Sequence, residues 1–200
     1  DLCEIYTDVD GVYTADPRKV ETARKLDEVT YDEMLELATL GAGVLHNRSV
    51  ELAKKYGVTM VVRSSLNNHE GTIVKEGNKM EKMIVSGVAA DTDAARVAVV
   101  GLKDEPGIAF KLFNNLAKKG INIDMILQSI GHNGKKDISF TCTNEDADEA
   151  KAILTDAVDF VSIDVRKDVA KVSIVGAGMQ SSAGVAAKMF GALASIDVNT

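Results

Sequence analysis

The sequence has no tryptophan, two prolines, two cysteines and three histidines in 200 residues. Cys3 and Cys142 stand far apart, each inside a strand-like apolar segment. That excludes a disulfide-dense scaffold and leaves two reduced, buried thiols of a cytoplasmic protein as the expectation. His46, His69 and His132 show no metal-ligand spacing, so no metal centre is expected. No apolar run is long enough to span a bilayer, and the polar start does not read as a signal peptide. An excess of positive charge is missing too. With 23 Lys and Arg against 30 Asp and Glu, the net charge is -7, which argues against nucleic acid or an anionic membrane as partner.

What is present begins as alternating α/β elements. Leu2 and Ile5 mark the end of a strand. Thr30 and Glu33 have the spacing of a capping box opening a helix over 31–40, which Gly41 ends. A second helix is expected from Asn47 or Arg48, with Val50, Ala53 and Tyr56 on one face and Gly57 as its stop. Residues 58–62 follow as a buried strand. Asn67, Asn68, Gly71, Gly77 and Asn78 then punctuate the chain, and a boundary into a second unit is placed there.

The second unit carries an internal repeat. Val97-Ala98-Val99-Val100-Gly101 matches Val172-Ser173-Ile174-Val175-Gly176, and Gly107-Ile108-Ala109 matches Gly184-Val185-Ala186. Leu116-Ala117 matches Leu193-Ala194, and Ile121-Asn122 matches Val198-Asn199. The first copy reads as strand 96–102, helix 107–119, strand 123–130, turn 131–134, strand 137–143, helix 146–157 and strand 160–166. This is the βαββαβ order of a ferredoxin-like fold. The second copy reaches Thr200 as its second strand begins. A sheet in that state can neither cover its helix face nor pair its edges, so either the chain is a segment of a longer polypeptide, the favoured expectation, or another polypeptide completes it. The run Gly176-Ala177-Gly178 with Ser181 and Asp197 imitates a dinucleotide fingerprint. Its third glycine is Ser181, and the same segment repeats 97–107, which has no such glycines, so no dinucleotide site is assigned.

Two stretches can carry chemistry. Residues 7–18, Thr-Asp-Val-Asp-Gly-Val-Tyr-Thr-Ala-Asp-Pro-Arg, suit a loop at the carboxyl edge of a sheet. Asp8 and Asp10 can orient a ribose or Mg²⁺, Tyr13 can flank a base, and Arg18 can face a phosphate forkwise. A solvated turn punctuated by Asp16-Pro17 is the other reading. The loop Asp104-Glu105-Pro106-Gly107 precedes a helix whose first N–H groups, Ile108 and Ala109 among them, suit a carboxylate. Asp104 offers a charge for an α-ammonium, with Asn122, Asp124 and Gln128 as further polar partners; the other reading makes Asp104 a turn residue and Asn122 a loop cap.

The exact string at 7–18 closely resembles the nucleotide-binding segment of aspartate kinases. The resemblance continues through Tyr31-Asp32-Glu33-Met34, Gly41-Ala42-Gly43-Val44-Leu45-His46, Arg63-Ser64-Ser65 and Glu70-Gly71-Thr72, and covers nearly the whole chain. It implies the end of an amino-acid kinase α/β sandwich over 1–76, a ferredoxin-like ACT domain over 77–168 and the start of a second over 169–200. The strand 83–89 would belong spatially to the second ACT domain. It further implies ATP- and Mg²⁺-dependent phosphorylation of the L-aspartate side-chain carboxylate, feeding lysine, threonine and methionine synthesis and regulated by those products. ATP would be held by Thr7, Asp8, Tyr13, Thr14, Ala15, Asp16, Pro17 and Arg18. An effector, lysine and/or threonine, would lie on Asp104, Gly107, Ile108, Ala109, Asn122, Ile123, Asp124 and Gln128. The second copy, with Met179-Gln180-Ser181-Ser182, has no acidic equivalent of Asp104.

The family's lysine-bearing glycine motif and its Ser-Asp catalytic segment would lie upstream of Asp1. No catalytic residue is therefore expected here, and the polypeptide alone is not expected to catalyse. Where the family usually has lysine this chain has Gly43, and where proline is common it has Asn47. The first change removes a cation whose contact would contribute about 1.5–3 kcal/mol. His46 is expected to be structural or packed. Homo-oligomers joined through ACT domains are implied. The alternative is a non-catalytic regulatory subunit that binds amino acids and associates with a full-length kinase chain.

Overall fold

Parallel pairing of β1 (Leu2–Thr7) with β3 (Thr59–Ser64) sets the frame of the first unit. The computed structural model describes residues 1–77, 84–176, 178–179 and 182–198. It forms two compact units, Asp1–Ala90 with Val172–Thr200, and Asp91–Lys171. Asn78, Met83, Ala177, Gln180, Ser181, Asn199 and Thr200, all of which entered the sequence reading, lie outside the described residues.

In the first unit β3 pairs antiparallel with β4 (Thr72–Lys75), which pairs in parallel with β2 (Glu28–Thr30), giving the order β1-β3-β4-β2. The stretch expected to be only punctuation thus holds a strand of this sheet. Helix α1 (Tyr31–Thr39) opens with the expected capping box: Glu33 N–H donates to Thr30 Oγ1 and Thr30 N–H to Glu33 Oε2, both at 3.2 Å. Helix α2 (Asn47–Tyr56) ends at Gly57 in the left-handed conformation, φ +64°. Met34, Leu37, Val50, Met60, Val62 and Val74 fill the core.

Two burial expectations fail. Tyr56 is 68 % exposed, because it sits in the last turn beyond the Val50–Ala53 stripe, with its ring beside Lys55 Nζ. Cys3 is exposed rather than buried, since β1 lies at the edge of the sheet, where Leu2 and Tyr6 are exposed as well. Cys142 is buried, and burial pushes its thiol above the ordinary range.

The second unit is built on β5 (Gly87–Lys103), α3 (Ile108–Ala117), β6 (Ile126–Gln128), β7 (Lys135–Cys142), α4 (Ala147–Ala157) and β8 (Ser162–Val175). Strand order β6-β7-β5-β8 is that of the expected βαββαβ fold. Two strands are longer than expected. β5 continues from the end of the expected strand 83–89, and β8 joins 162–166 to 172–175. Neither Gly nor Pro interrupts 88–100 or 161–175, so nothing local stops the extended chain. β6 is shorter than the expected 123–130. Thr141 Oγ1 takes the Met125 N–H at 3.0 Å, and regular pairing begins only at Ile126. Leu112, Leu116, Ile138, Phe140 and Leu154 form the core, with Phe113 edge-to-face on Phe140 at 5.8 Å. Both repeats enter their helices through a left-handed glycine, Gly107 at φ +90° before α3 and Gly184 at φ +88° before α5 (Val185–Ser195). The shared turn supports the repeat seen in sequence. Among the described residues after Val175, Gly178 and Met179 lie in a 3-10 turn and the next α-helix, α5, begins at Val185.

Candidate functional site

Parallel β1 and β3 end side by side, Thr7 opposite Ser64, and the loops that leave them share the carboxyl edge of the sheet. Ligands of open α/β sheets collect at such an edge. Residues 7–14 are fastened there bond by bond. Ser65 donates its N–H and its hydroxyl to the Thr7 carbonyl, at 2.8 and 3.0 Å. Thr72, fully buried, accepts the Val12 N–H at 2.8 Å and donates to the Leu26 carbonyl at 2.6 Å. Arg24 N–H donates to Thr14 Oγ1 at 3.0 Å, and Thr14 N–H to the Arg24 carbonyl at 2.9 Å. Gly11 is buried under this clamp: a Cβ there would lie 2.5 Å from Thr72 Oγ1. Side chains of the segment are thereby displayed while its backbone is held.

The two carboxylates expected to face a ligand separate in role. Asp10 accepts from the Tyr13 hydroxyl at 2.6 Å and pairs with His69 Nδ1 at 2.8 Å. The Tyr13 hydrogen bond, then His69, hold the Asp10 carboxyl below the usual range, and Asp10 in turn raises the Tyr13 hydroxyl. Asp10 therefore anchors Tyr13. Asp8 is exposed and accepts from Thr7 Oγ1 at 2.9 Å. Arg18 forks onto Asp16 (Nε to Oδ1 3.0 Å, Nη2 to Oδ2 3.3 Å), lowering the Asp16 carboxyl while its own side chain is 75 % exposed. Ala15 is half-buried and Pro17 exposed in the same turn.

At Gly43 a Cβ would meet nothing within 4 Å, so the side chain missing there has open room. His46 is exposed rather than packed. It caps α2, its Nδ1 accepting the Arg48 N–H at 3.2 Å.

In the second unit the expected effector residues do not gather at one place. Asp104, Gly107, Ile108 and Ala109 lie at the entry to α3, just past Lys103 of β5. Asn122, Ile123 and Asp124 instead follow the far end of α3, where Asp124 N–H donates to the carbonyl of Thr141, the register partner of Arg96. Gly107 caps the helix, Ile108 is buried in the core, and Ala109 and Ile123 pack against that core. Asn122 is exposed in the α3–β6 connection and Gln128 ends β6, also exposed. The two carboxylates are held by the chain's own ammonium groups. Asp104 pairs with Lys136 at 3.1 Å, the lysine side chain only 11 % exposed. Asp124 binds Lys171, which is 9 % exposed and also 3.5 Å from Asp91. Burial pulls the Lys171 ammonium down, but Asp124 and Asp91 outweigh it and the net direction is up. Gly131 lies so close to Asp104 that a Cβ there would overlap Oδ2. Sequence reasoning missed Ser65, His69, Thr72, Lys136 and Lys171. Ser65 and Thr72 did carry a signal, standing in the strings Arg63-Ser64-Ser65 and Glu70-Gly71-Thr72 that bear the family resemblance, though no role was read for either.

Among the described residues no group of three His, Cys, Asp or Glu side chains is placed to hold a metal, and no helix is long and apolar enough to cross a membrane.

A model of the amino acid kinase family matches residues 1–64, and one of the ACT domain matches 97–158 and 172–200. The chain is 52 % identical over 204 residues to an aspartokinase of Helicobacter pylori, covering 99 % of this chain and 50 % of that protein. It spans about half the length of the curated relatives it matches. Its structure is similar to that of E. coli aspartokinase III in complex with aspartate and ADP, at TM-score 0.80 and 26 % identity over 95 % of this chain and 43 % of that one. The same enzyme in complex with lysine and aspartate matches at TM-score 0.73, again with 26 % identity over 95 % of this chain and 43 % of that one. The regulatory subunit of aspartate kinase from Thermus thermophilus is 41 % identical, with TM-score 0.53 over 56 % of this chain and 76 % of that one.

Proposed function

Because the chain belongs to the aspartokinase family, we propose that it supplies one wall of the ATP site and the regulatory ACT repeats of an aspartate kinase. The whole protein transfers the γ-phosphoryl group of ATP to the side-chain carboxylate of L-aspartate. The observation that carries this reading is the segment 7–18, clamped at the carboxyl edge of β1 and β3 with Asp8, Tyr13 and Arg18 displayed. The aspartate and ADP bound by the E. coli relative support it.

In this reading Thr7, Asp8, Tyr13, Thr14, Ala15, Asp16, Pro17 and Arg18 contact the nucleotide. Tyr13, fixed by Asp10, flanks the base, and Arg18 exchanges part of its hold on Asp16 for a phosphate oxygen. Mg²⁺ travelling with the nucleotide keeps most of its waters and needs one or two carboxylates. Exposed Asp8 fits that need, and the ion would neutralise phosphate charge when bound. The reacting phosphoryl and the aspartate are handled outside these 200 residues. Boundaries at 76/77 and 168/169 divide kinase portion, first ACT domain and second. Formation of aspartyl hydroxamate from aspartate, ATP and hydroxylamine by the whole protein carrying this sequence tests the activity; no ATP-dependent product overturns it.

Arg18→Ala should raise the KM for ATP about 3- to 10-fold, a charge-assisted contact discounted for its exposure. Initial rates against ATP measure this, and an unchanged KM removes Arg18 from the site.

The effector, lysine and/or threonine, is proposed to bind at Asp104, Gly107, Ile108, Ala109, Asn122, Ile123, Asp124 and Gln128. The lysine bound by the E. coli relative supports an amino-acid effector. Because Lys136 already holds Asp104 and Lys171 holds Asp124, toward opposite ends of the sheet, an ammonium arriving at either carboxylate must share it with that lysine or displace it. Asp104→Asn should raise the inhibition constant of the effector about 3- to 10-fold, the size of a half-exposed charge-assisted bond. Superimposable inhibition curves would count against this groove. ACT domains pairing between subunits complete the proposal, and light scattering of the whole protein reads it.

The match to the Thermus thermophilus regulatory subunit favours a second reading, a non-catalytic chain that joins a full-length kinase. Reading the gene upstream of the Asp1 codon separates the two. An in-frame glycine-rich lysine motif supports the enzyme, and a start codon close by supports the regulatory chain.

A further inference from the structure

Around the start of β5, the first unit ties its nucleotide segment to the second repeat through a short run of hydrogen bonds. Val88 N–H donates to the carbonyl of Thr14 at 2.8 Å. Two residues earlier, Ser86 N–H donates to the carbonyl of Val175 at 2.7 Å, where β8 ends and the repeat's turn begins. The Ser86 hydroxyl donates to Glu33 Oε1, while Oε2 of the same carboxylate closes the α1 capping box on Thr30. Ser86 is 2 % exposed. The backbone around it has no slack. A Cβ on Gly87 would lie 3.0 Å from Leu37 Cδ2 and 3.5 Å from the Thr14 carbonyl, and one on Gly176 would lie 2.3 Å from the Ile84 carbonyl.

All of these residues belong to one compact unit. Building on the regulated-kinase reading above, we propose that Ser86 is the positioning residue that couples amino-acid occupancy of the ACT repeats to the nucleotide segment. A buried donor or acceptor is costly to leave unpaired, so a shift of Val175 carries Ser86 with it. Glu33 gives that movement a fixed pivot, because its other oxygen is committed to the helix cap. The two peptide units from Ser86 to Val88 pass the shift to the Thr14 carbonyl, next in sequence to Ala15-Asp16-Pro17-Arg18. The strand that leaves this junction at Gly87 ends at Lys103, the residue before Asp104. Coupling of this kind is a differential interaction that two ligands share, and it is reciprocal.

The test is calorimetric and uses the whole protein. L-Lysine and L-threonine are each titrated with and without saturating ADP, and the ratio of the two effector Kd values measures the coupling. In the native protein one ratio should differ from unity by about fivefold or more. Ser86→Ala should bring it to within about twofold of one while the effector still binds, because the hydroxyl pivot is gone. Ser86→Thr retains the hydroxyl and should keep the native ratio. Ser86→Cys fills the space with a weak donor, and should follow the alanine variant even if that variant folds poorly. A native ratio different from one that survives Ser86→Ala or Ser86→Cys overturns the role of Ser86 and leaves the regulated reading standing. A native ratio of one for both amino acids overturns the regulated reading, and the coupling with it.

Discussion

Gly71→Ala should lower the stability of the first unit by about 2–5 kcal/mol, the sum of a left-handed backbone penalty of about 1–2 and overpacking of about 1–3. Gly71 has φ +84°, and a Cβ there would lie 2.2 Å from the Val62 carbonyl oxygen and 2.9 Å from Arg63 Cγ. The obstacle is backbone in the middle of β3, which cannot swing aside as a side-chain tip would. The effect extends to the site, because the next residue, Thr72, holds Val12 and Leu26 and so sets the course of the nucleotide segment. Urea denaturation of the whole protein should show an earlier midpoint for the transition that ADP stabilises, and the KM for ATP should rise with it. A variant with unchanged midpoint and unchanged KM would show that the 65–71 loop does not support the segment.

Phe140→Ala should cost about 3–5 kcal/mol, the usual loss for emptying a large buried aromatic position. Phe140 is 2 % exposed in the C-terminal half of β7, and its edge-to-face contact with Phe113 adds about 0.5–1.5 kcal/mol of geometric complementarity. Its core neighbours, among them Val97, Leu112, Ile138 and Leu154, all lie within Asp91–Lys171, so the loss falls on that unit. Differential scanning calorimetry should show one transition lowered by more than about 10 °C, given about 4–8 °C per kcal/mol for a unit of this size. ADP should still raise the midpoint of the other transition, since it binds a different unit. Loss of the ADP-dependent shift would contradict the placing of nucleotide and sensor in separate units.

The parts of the fold that were legible in the sequence are those with local causes. Thr30 and Glu33 three residues apart make a capping box wherever a helix follows, and Gly57 stops α2 because it alone tolerates the left-handed turn there. The repeat exposed the βαββαβ order, since two copies must solve the same packing problem with the same spacing. Gly107 and Gly184, equivalent in the alignment, share nearly the same φ. The extent of β5 and β8 was hidden because Asp91, Thr92 and Asp93 look like loop residues. Pairing across the sheet decides the matter, as Arg96 reaches Asp164 at 2.8 Å and Ala95 lies in register with Cys142.

The candidate site divides in the same way. Residues 7–18 and 104–107 could be singled out because ligand-facing chemistry is concentrated in short strings. Their partners are distant in sequence: Ser65 for Thr7, His69 for Asp10, Lys136 for Asp104, Lys171 for Asp124. A lysine or histidine in isolation has no pattern that names its partner, and only the closed chain brings the charges together. By itself the sequence determined the family, the order of elements and the two ligand-facing strings, because each is written in contiguous residues. Tertiary structure alone decided that Asp10 anchors Tyr13, that both sensor carboxylates are already held by lysines, and that Ser86 stands between Glu33 and Val175. Hydrogen bonds and ion pairs act over a few ångströms of space, whatever their separation along the chain.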